Sequence, residues 1–322
     1  MYAAVVSAFN SPPRFEQMEK PEPRGEHEVL VDVLAAGLHP RVRSQANGSH
    51  YTSTDEFPLV PGIDGVGRLA DGRHVYFILP DTTMGAMAEQ TVIDVRRSVI
   101  LADDPDPVML AAAMNPGMSS WVGLRRRLDF QPGCSGLVMG ATGSAGQLAV
   151  QIAKHLGAAH VVGAGRDEAL LDVLPGLGAD ATVSLQGDAE QVAGRLGRAA
   201  SEVDVVIDYL WGAPTEAAVM ALLTARADGG RTMTWLQIGS VAGPTAALPS
   251  VAFRSADFRM LGSGQGSVTS TAILAELPEL ATLIVRGVFA VNPVTVPLAG
   301  IQQAWTAPTA PGERVVIVPT SD

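Results

Sequence analysis

The chain of 322 residues has one cysteine, Cys134. A single cysteine cannot close an internal disulfide or build a four-cysteine zinc site. Lysine is nearly as scarce. Lys20 and Lys154 stand alone, and the other basic residues are arginines. With 22 basic against 33 acidic side chains the net charge is −11, which argues against a broad basic face for nucleic acid. No apolar run reaches the length a bilayer span needs. The start, Met1-Tyr2-Ala3-Ala4-Val5-Val6, lacks the basic region of a secretory signal. A soluble cytoplasmic protein without nucleic-acid or membrane partners is the expectation. Internal repeats and low-complexity tails are also missing. What is present, 47% apolar and 17% charged residues, is a globular composition. At roughly 100–200 residues per domain the length suggests two domains.

The N-terminal third reads as β-rich. Residues 28–35 alternate Val29, Val31 and Val33 with Glu28, Asp32 and Leu34, an imperfect period of two. Gly and Pro punctuate the surrounding segments, so short strands separated by turns suggest a barrel-like or irregular β domain. The texture changes near residue 105. Residues 107–114 look helical, with Pro107 at a first-turn position. From about 135 apolar strands alternate with helices: strands at 135–141, 160–165, 181–185, 203–210, 231–238 and 257–262, and helices at 143–156 and 167–174. Continuous apolar strands between helices indicate a parallel sheet covered on both faces. A helix at 270–286, kinked or divided by Pro278, precedes strands at 289–297 and 313–318. This last piece is expected to return to the first domain.

The strongest motif is Gly140-Ala141-Thr142-Gly143-Ser144-Ala145-Gly146. It follows an apolar strand and opens a helix. Small residues there permit a tight turn, close backbone approach to a diphosphate, and close helix–sheet packing, and the helix start presents N–H groups and a positive dipole end. The spacing is G-x-x-G-x-x-G, which also suits a strand–helix turn with no ligand. The second strand ends Gly165-Arg166-Asp167. Arg166 has the fork geometry for a 2′-phosphate and favours NADP. Asp167 is expected to cap the next helix, although an acidic residue there as a ribose ligand would instead indicate NAD.

Four segments together resemble the zinc-less quinone oxidoreductase branch of the medium-chain dehydrogenase/reductase superfamily. They are Pro61-Gly62-Ile63-Asp64-Gly65-Val66-Gly67; Asn115-Pro116-Gly117-Met118-Ser119-Ser120-Trp121; the glycine turn continued by Gln151-Ile152-Ala153-Lys154-His155-Leu156-Gly157-Ala158; and Val205-Val206-Ile207-Asp208-Tyr209-Leu210-Trp211-Gly212. The resemblance covers nearly the whole chain. It implies an α/β fold: a GroES-like β domain at 1–115 completed by 264–322, and a six-stranded Rossmann domain, a doubly wound parallel sheet, at 116–263. It implies a site in the cleft between them, and usually a homodimer. Several positions depart from the pattern. Ile63 stands where zinc-dependent members have histidine, and His39 where they have cysteine. Asp64 replaces a usual Glu, and His39-Pro40 replaces Asn-Pro. Leu170 and Leu185 replace a lysine and a tyrosine near the 2′-phosphate.

Without zinc, no Lewis acid polarises an alcohol or carbonyl. Hydride addition to a quinone or enone places charge on an oxygen that hydrogen-bond donors can stabilise, and the proton can come from solvent or a positioned acid. The catalytic candidates are His39, beside the nicotinamide by resemblance, and Tyr51; each has an alternative as a loop or packing residue. The cofactor candidates are Ser119, which otherwise reads as a helix cap, the turn from Gly140 to Gly146, Gly165 and Arg166. The remaining cofactor candidates are Tyr209 and Leu210 after the fourth strand, Ile238, Gly239 and Ser240 after the fifth, and Gly262 and Ser263 after the sixth. The run from Gly262 to Gly266 also reads as a hinge. The expected function is an NADPH-dependent reductase of a small-molecule quinone or enone. A specialised enoyl reductase or cyclase of secondary metabolism, and an NADPH-binding protein without turnover, are the alternatives.

Overall fold

The computed structural model describes residues 1–50, 53–80, 82–102, 105–128, 130–310 and 312–319. The chain divides into two compact units, Met1–Asn115 with Leu274–Asp322, and Pro116–Ile273.

The first unit opens with β1 (Tyr2–Val5), β2 (Arg14–Gln17), β3 (Glu28–Gly37), α1 (Pro40–Ala46), β4 (Asp64–Arg68), β5 (His74–Ile78), β6 (Gln90–Asp94) and β7 (Ser98–Ile100). The alternation in β3 has its physical outcome: Val31 and Val33 are buried while Asp32 is exposed. α1 starts directly after His39 with Pro40 in its first turn, where the missing N–H costs no hydrogen bond. The next helix, α2 (Pro107–Val122), carries the boundary between the units and contains Pro116. It runs beyond the helix expected at 107–114, through Asn115-Pro116-Gly117 to Val122, with Trp121 fully buried at its far end.

The second unit contains β8 (Ser135–Met139), α3 (Ser144–His155), β9 (His160–Gly165), α4 (Glu168–Leu171), β10 (Ala181–Ser184), α5 (Ala189–Ala200), β11 (Val205–Asp208), α6 (Gly212–Ala225), β12 (Met233–Gln237) and β13 (Phe258–Gly262). Its strands lie in the order β10-β9-β8-β11-β12-β13, and all neighbours are parallel. The order reverses at β8 and β11, the switch point where ligands bind outside the carboxyl ends of the strands. The expected helix at 167–174 is shorter. α4 ends at Leu171 and a 3-10 turn follows over Leu174–Leu177, where Pro175 disfavours continued α geometry.

The chain then forms α7 (Ser270–Val285), β14 (Asn292–Pro297), α8 (Ile301–Thr306) and β15 (Glu313–Val318). α7 stays one helix across Pro278, so of the two expected effects the proline does not divide it. β14 begins later than 289; Phe289 is a buried loop residue instead. β15 pairs antiparallel with β3, Val316 opposite Gly37 and Ile317 opposite Ala36. The sheet of the first unit runs β14-β15-β3-β4-β5-β7, with β6 also on β3. Its core includes Val31, Val33, Leu38, Val75, Phe77, Ile93 and Ile317.

Candidate active site

The glycine turn lies at the carboxyl end of β8. Gly140 adopts φ +85°, which side chains rarely tolerate. Gly146 packs over it: a Cβ there would run into the Gly140 carbonyl oxygen and lie 2.6 Å from the Ala141 Cα. Gly143 is the residue before α3, and no side chain caps that helix. First-turn N–H groups lack intrahelical partners, so at Ala145 and Gly146 the start of α3 offers its backbone to an anion. On β9, Gly165 lies against Thr142, so closely that a Cβ at 165 would overlap the threonine side chain. These residues form a backbone-lined cradle that fits a diphosphate.

Other cofactor candidates converge on the same sheet end. A Cβ on Gly140 would lie 3.0 Å from Leu210 Cδ2 and 3.4 Å from Tyr209 Cβ; one on Gly239 would lie 2.7 Å from the Tyr209 carbonyl oxygen. The Ser119 hydroxyl is 2.9 Å from the Tyr209 hydroxyl and donates to the Pro116 carbonyl at 2.7 Å. Ser119 therefore lies inside α2 rather than capping it. Burial pushes the Tyr209 phenol up to about 12, opposed by the Ser119 and Ser120 hydroxyls. Ile238 and Ser263 both come close to Gly123, which opens a five-residue π segment (Gly123–Arg127). Gly262 accepts a hydrogen bond from Arg127 Nε at 3.0 Å, and Ser240 is exposed on the loop after β12.

Sequence reading missed the organiser of this edge, Asp208, which is fully buried at the end of β11. Its Oδ1 accepts from the Leu210 and Trp211 N–H groups, at 2.8 and 3.1 Å, and its Oδ2 from Thr215 Oγ1 and Trp235 Nε1, at 2.6 and 3.0 Å. Four donors satisfy the carboxylate and hold a turn in which Trp211 has φ 58°. At the tip of β9, Asp167 caps α4 by accepting from Leu170 N–H at 3.1 Å, as expected. Arg166 is exposed there, and among the described residues its guanidinium makes no hydrogen bond or ion pair.

His39 belongs to the first unit and is 2% exposed. Its Nε2 lies 3.0 Å from Asp64 Oδ1, while the Tyr76 hydroxyl donates to Asp64 Oδ2 at 2.7 Å. Asp64 begins β4 opposite Ile78. Burial holds the His39 imidazole below its usual range, opposed by Asp64, and pushes the Tyr76 phenol well up. A neutral imidazole that donates from Nε2 to a carboxylate keeps only a lone pair on Nδ1. Tyr76 gives no sequence signal; it sits inside an apolar strand with no polar pattern around it. Tyr51 lies outside the described residues. Among those described, no three His, Cys, Asp or Glu side chains are grouped as a metal site.

A doubly wound sheet with an uncapped glycine turn, and a separate β unit holding a buried His–Asp–Tyr set, is an arrangement suited to binding a dinucleotide. A family model described as "Zinc-binding dehydrogenase" matches residues 145–284. The probable NADPH-dependent quinone reductase tdiC of Emericella nidulans is 29% identical over 99% of this chain and 100% of its own length. The chloroplastic NADPH-dependent alkenal/one oxidoreductase of Arabidopsis thaliana is 29% identical over 49% of this chain and 45% of its own. The quinone oxidoreductase of Thermus thermophilus, solved also in complex with NADPH, has the same fold. Its TM-score is 0.81 at 24% identity, over 99% of this chain and 100% of that one. The chain is thus similar over nearly its whole length to a quinone reductase, in residues 145–284 to the zinc-binding dehydrogenase family model, and in fold to solved quinone oxidoreductases.

Proposed function

We propose that this protein is an NADPH-dependent, zinc-independent reductase that delivers hydride to a quinone or an α,β-unsaturated carbonyl compound. The observation that carries it is the cradle at the end of β8, where the lack of side chains at Gly140, Gly143 and Gly146 lets a phosphate approach the backbone at the uncapped start of α3. The activities named for the relatives support the acceptor class. Residues Gly140 to Gly146 would hold the diphosphate, with Gly165 allowing Thr142 to approach. Arg166 would take the 2′-phosphate. Ser119, Tyr209, Leu210, Ile238, Gly239, Ser240, Gly262 and Ser263 would face the nicotinamide half. Bound NADPH supplies the hydride.

The protein's own contribution is to orient the acceptor and stabilise charge on its oxygen. His39 is the catalytic candidate in the described chain, placed by resemblance rather than by contact. Its Nε2–H is committed to Asp64, and burial favours the neutral ring. On this reading the proton to the enolate or hydroquinone comes from solvent or from another donor such as Tyr51, and His39 acts by orienting. Zinc independence is supported by Ile63 before Asp64 and by the engagement of His39 with Asp64 and not with a ligand set. Among the described residues no helix is long and apolar enough to cross a membrane; a cytoplasmic homodimer goes with this reading, and β13 is an edge strand available for pairing.

The test is nucleotide oxidation followed in purified protein with NADPH or NADH, against a panel of quinones and enones, with and without a chelator. NADPH oxidation that ignores the chelator is expected. Absence of pyridine-nucleotide affinity in calorimetry, or turnover that requires zinc, would overturn the assignment. Binding without turnover would favour a non-catalytic NADPH-binding protein. Light scattering of the same sample tests the dimer, and fractionation of the source cells tests the location.

A further inference from the structure

β15 reads Glu313-Arg314-Val315-Val316-Ile317-Val318. Its pairing with β3 puts Val316 opposite Gly37, and Leu38 N–H donates to the Val315 carbonyl at 2.9 Å. Continued one residue further, the same register sets Arg314 opposite His39. Directly opposed residues of an antiparallel pair share a face, with Cβ atoms about 5 Å apart.

Arg314 is 8% exposed, and its Nε is buried with no hydrogen-bond partner. Among the described residues its guanidinium makes no side-chain hydrogen bond. Lys and Arg are almost never buried unpaired, and an unmatched buried donor is costly. Arg43 lies near enough for its charge to act on Arg314. It gives one Nη2 hydrogen bond to the Ala304 carbonyl at 3.3 Å, while its own buried Nε also has no partner. The carboxylate that acts on Arg314 is Asp64, yet both Asp64 oxygens already accept, from His39 and Tyr76. With a neutral His39, Arg314 and Arg43 outnumber the Asp64 carboxylate, and the charge of Arg41 also reaches His39 and Tyr76, so the cluster is positive. A planar monoanion matches both that charge and a guanidinium fork.

We propose that Arg314, assisted by Arg43, is an acceptor-recognition residue beside His39 that takes the carboxylate of the substrate. The preferred acceptor is then an enone or quinone carrying a carboxylate rather than a neutral one. This rests on the reductase reading for its activity arm and on the structure alone for its binding arm.

The activity arm compares 4-carboxybenzylideneacetone with its methyl ester, which share the reacting enone and differ in charge. The quantity read is the ratio of kcat/KM for acid over ester within each protein. A ratio of about tenfold or more is expected in the wild type, collapsing to near unity or below in Arg314→Met and falling partly in Arg43→Met. A wild-type ratio near unity, or one that survives Arg314→Met in a variant whose circular dichroism matches wild type, would overturn the proposal. The binding arm uses calorimetry of benzoate, benzamide and inorganic phosphate against wild type. Benzoate binding well above benzamide and phosphate, lost in either variant, supports it. Equal binding of phosphate points to unselective oxyanion attraction and rejects carboxylate recognition. Should Arg314→Met fail to fold, Arg43→Met and the wild-type ligand comparison still decide. If neither enone is reduced, the reductase reading fails while the benzoate result stands by itself.

Discussion

Ser119 and Tyr209 lie 90 residues apart in the chain, and their hydroxyls are 2.9 Å apart. One stands on α2 and the other follows β11, so the contact ties the helix to the carboxyl edge of the sheet. Neither sequence segment announces the other. Ser119→Ala and Tyr209→Phe are expected to couple in a double-mutant cycle by about 0.5–1.5 kcal/mol, the range of a neutral hydrogen bond. Denaturant unfolding of the four proteins measures it. Additive effects would mean that the hydroxyls do not depend on one another.

Gly146 has a sharper requirement. The atoms a Cβ would meet are the backbone of Gly140 and Ala141, which cannot rotate away as a side chain can. Gly146→Ala must move α3 against the turn. Overpacking of this kind costs typically about 1–3 kcal/mol in stability, and displaced N–H groups should weaken NADPH binding by about tenfold or more. Calorimetric titration with NADPH reads the second effect. Unchanged affinity would remove the diphosphate from this turn.

The strands of the second unit were legible because apolar continuity and helical breaks are local signals. Residues 160–165 and β9 coincide, and β8, β10, β11, β12 and β13 fall within the expected segments. Boundaries drifted where a proline acts: Pro175 cuts α4 short, while Pro278 leaves α7 whole. The glycine turn was legible because its residue types carry the requirement for close approach. Asp208 and Tyr76 were not, since their importance lies in partners such as Trp235 and Asp64 that only the sheets bring within reach. Arg314 did leave a trace. It is a charged residue on the same alternating face as buried Val316, a conflict between pattern and polarity that marks a position with another purpose.

Arg166 decides nucleotide choice in the proposed reading. It is exposed at the β9 tip, where a phosphate on the ribose could reach a guanidinium that has no partner among the described residues. A hydrogen bond to a charged group is worth about 1.5–3 kcal/mol. Arg166→Ala is therefore expected to lower kcat/KM for NADPH by about 10–100-fold and to leave NADH within threefold or so. Steady-state kinetics with both nucleotides separates this from a general loss. Equal losses for the two would deny contact with the 2′-phosphate.

His39→Gln keeps an N–H donor for Asp64 while removing a titratable ring. A true general acid contributes about 10²–10⁴-fold. With solvent as the proton source, kcat should fall by less than about tenfold, and its pH profile between 6 and 8 should match the wild type. A loss of a hundredfold or more, with a wild-type profile that declines as His39 deprotonates, would instead make the imidazole the acid.

The same residue predicts how stability responds to acid. Burial lowers the folded-state pKa of His39, so the unfolded chain, with a value near ~6.5, binds its proton first as pH falls. The stabilisation linked to a neutral His39 is present above that unfolded value and is lost progressively below it, toward the lower folded pKa. Where only the unfolded state is protonated, one such group contributes a slope of about 1.4 kcal/mol per pH unit. His39→Gln removes that slope. Urea unfolding at pH 7.5, 6.0 and 5.0 should show the wild type losing stability faster than the variant as pH falls. Parallel losses would mean that folding does not hold the His39 ring neutral against Asp64.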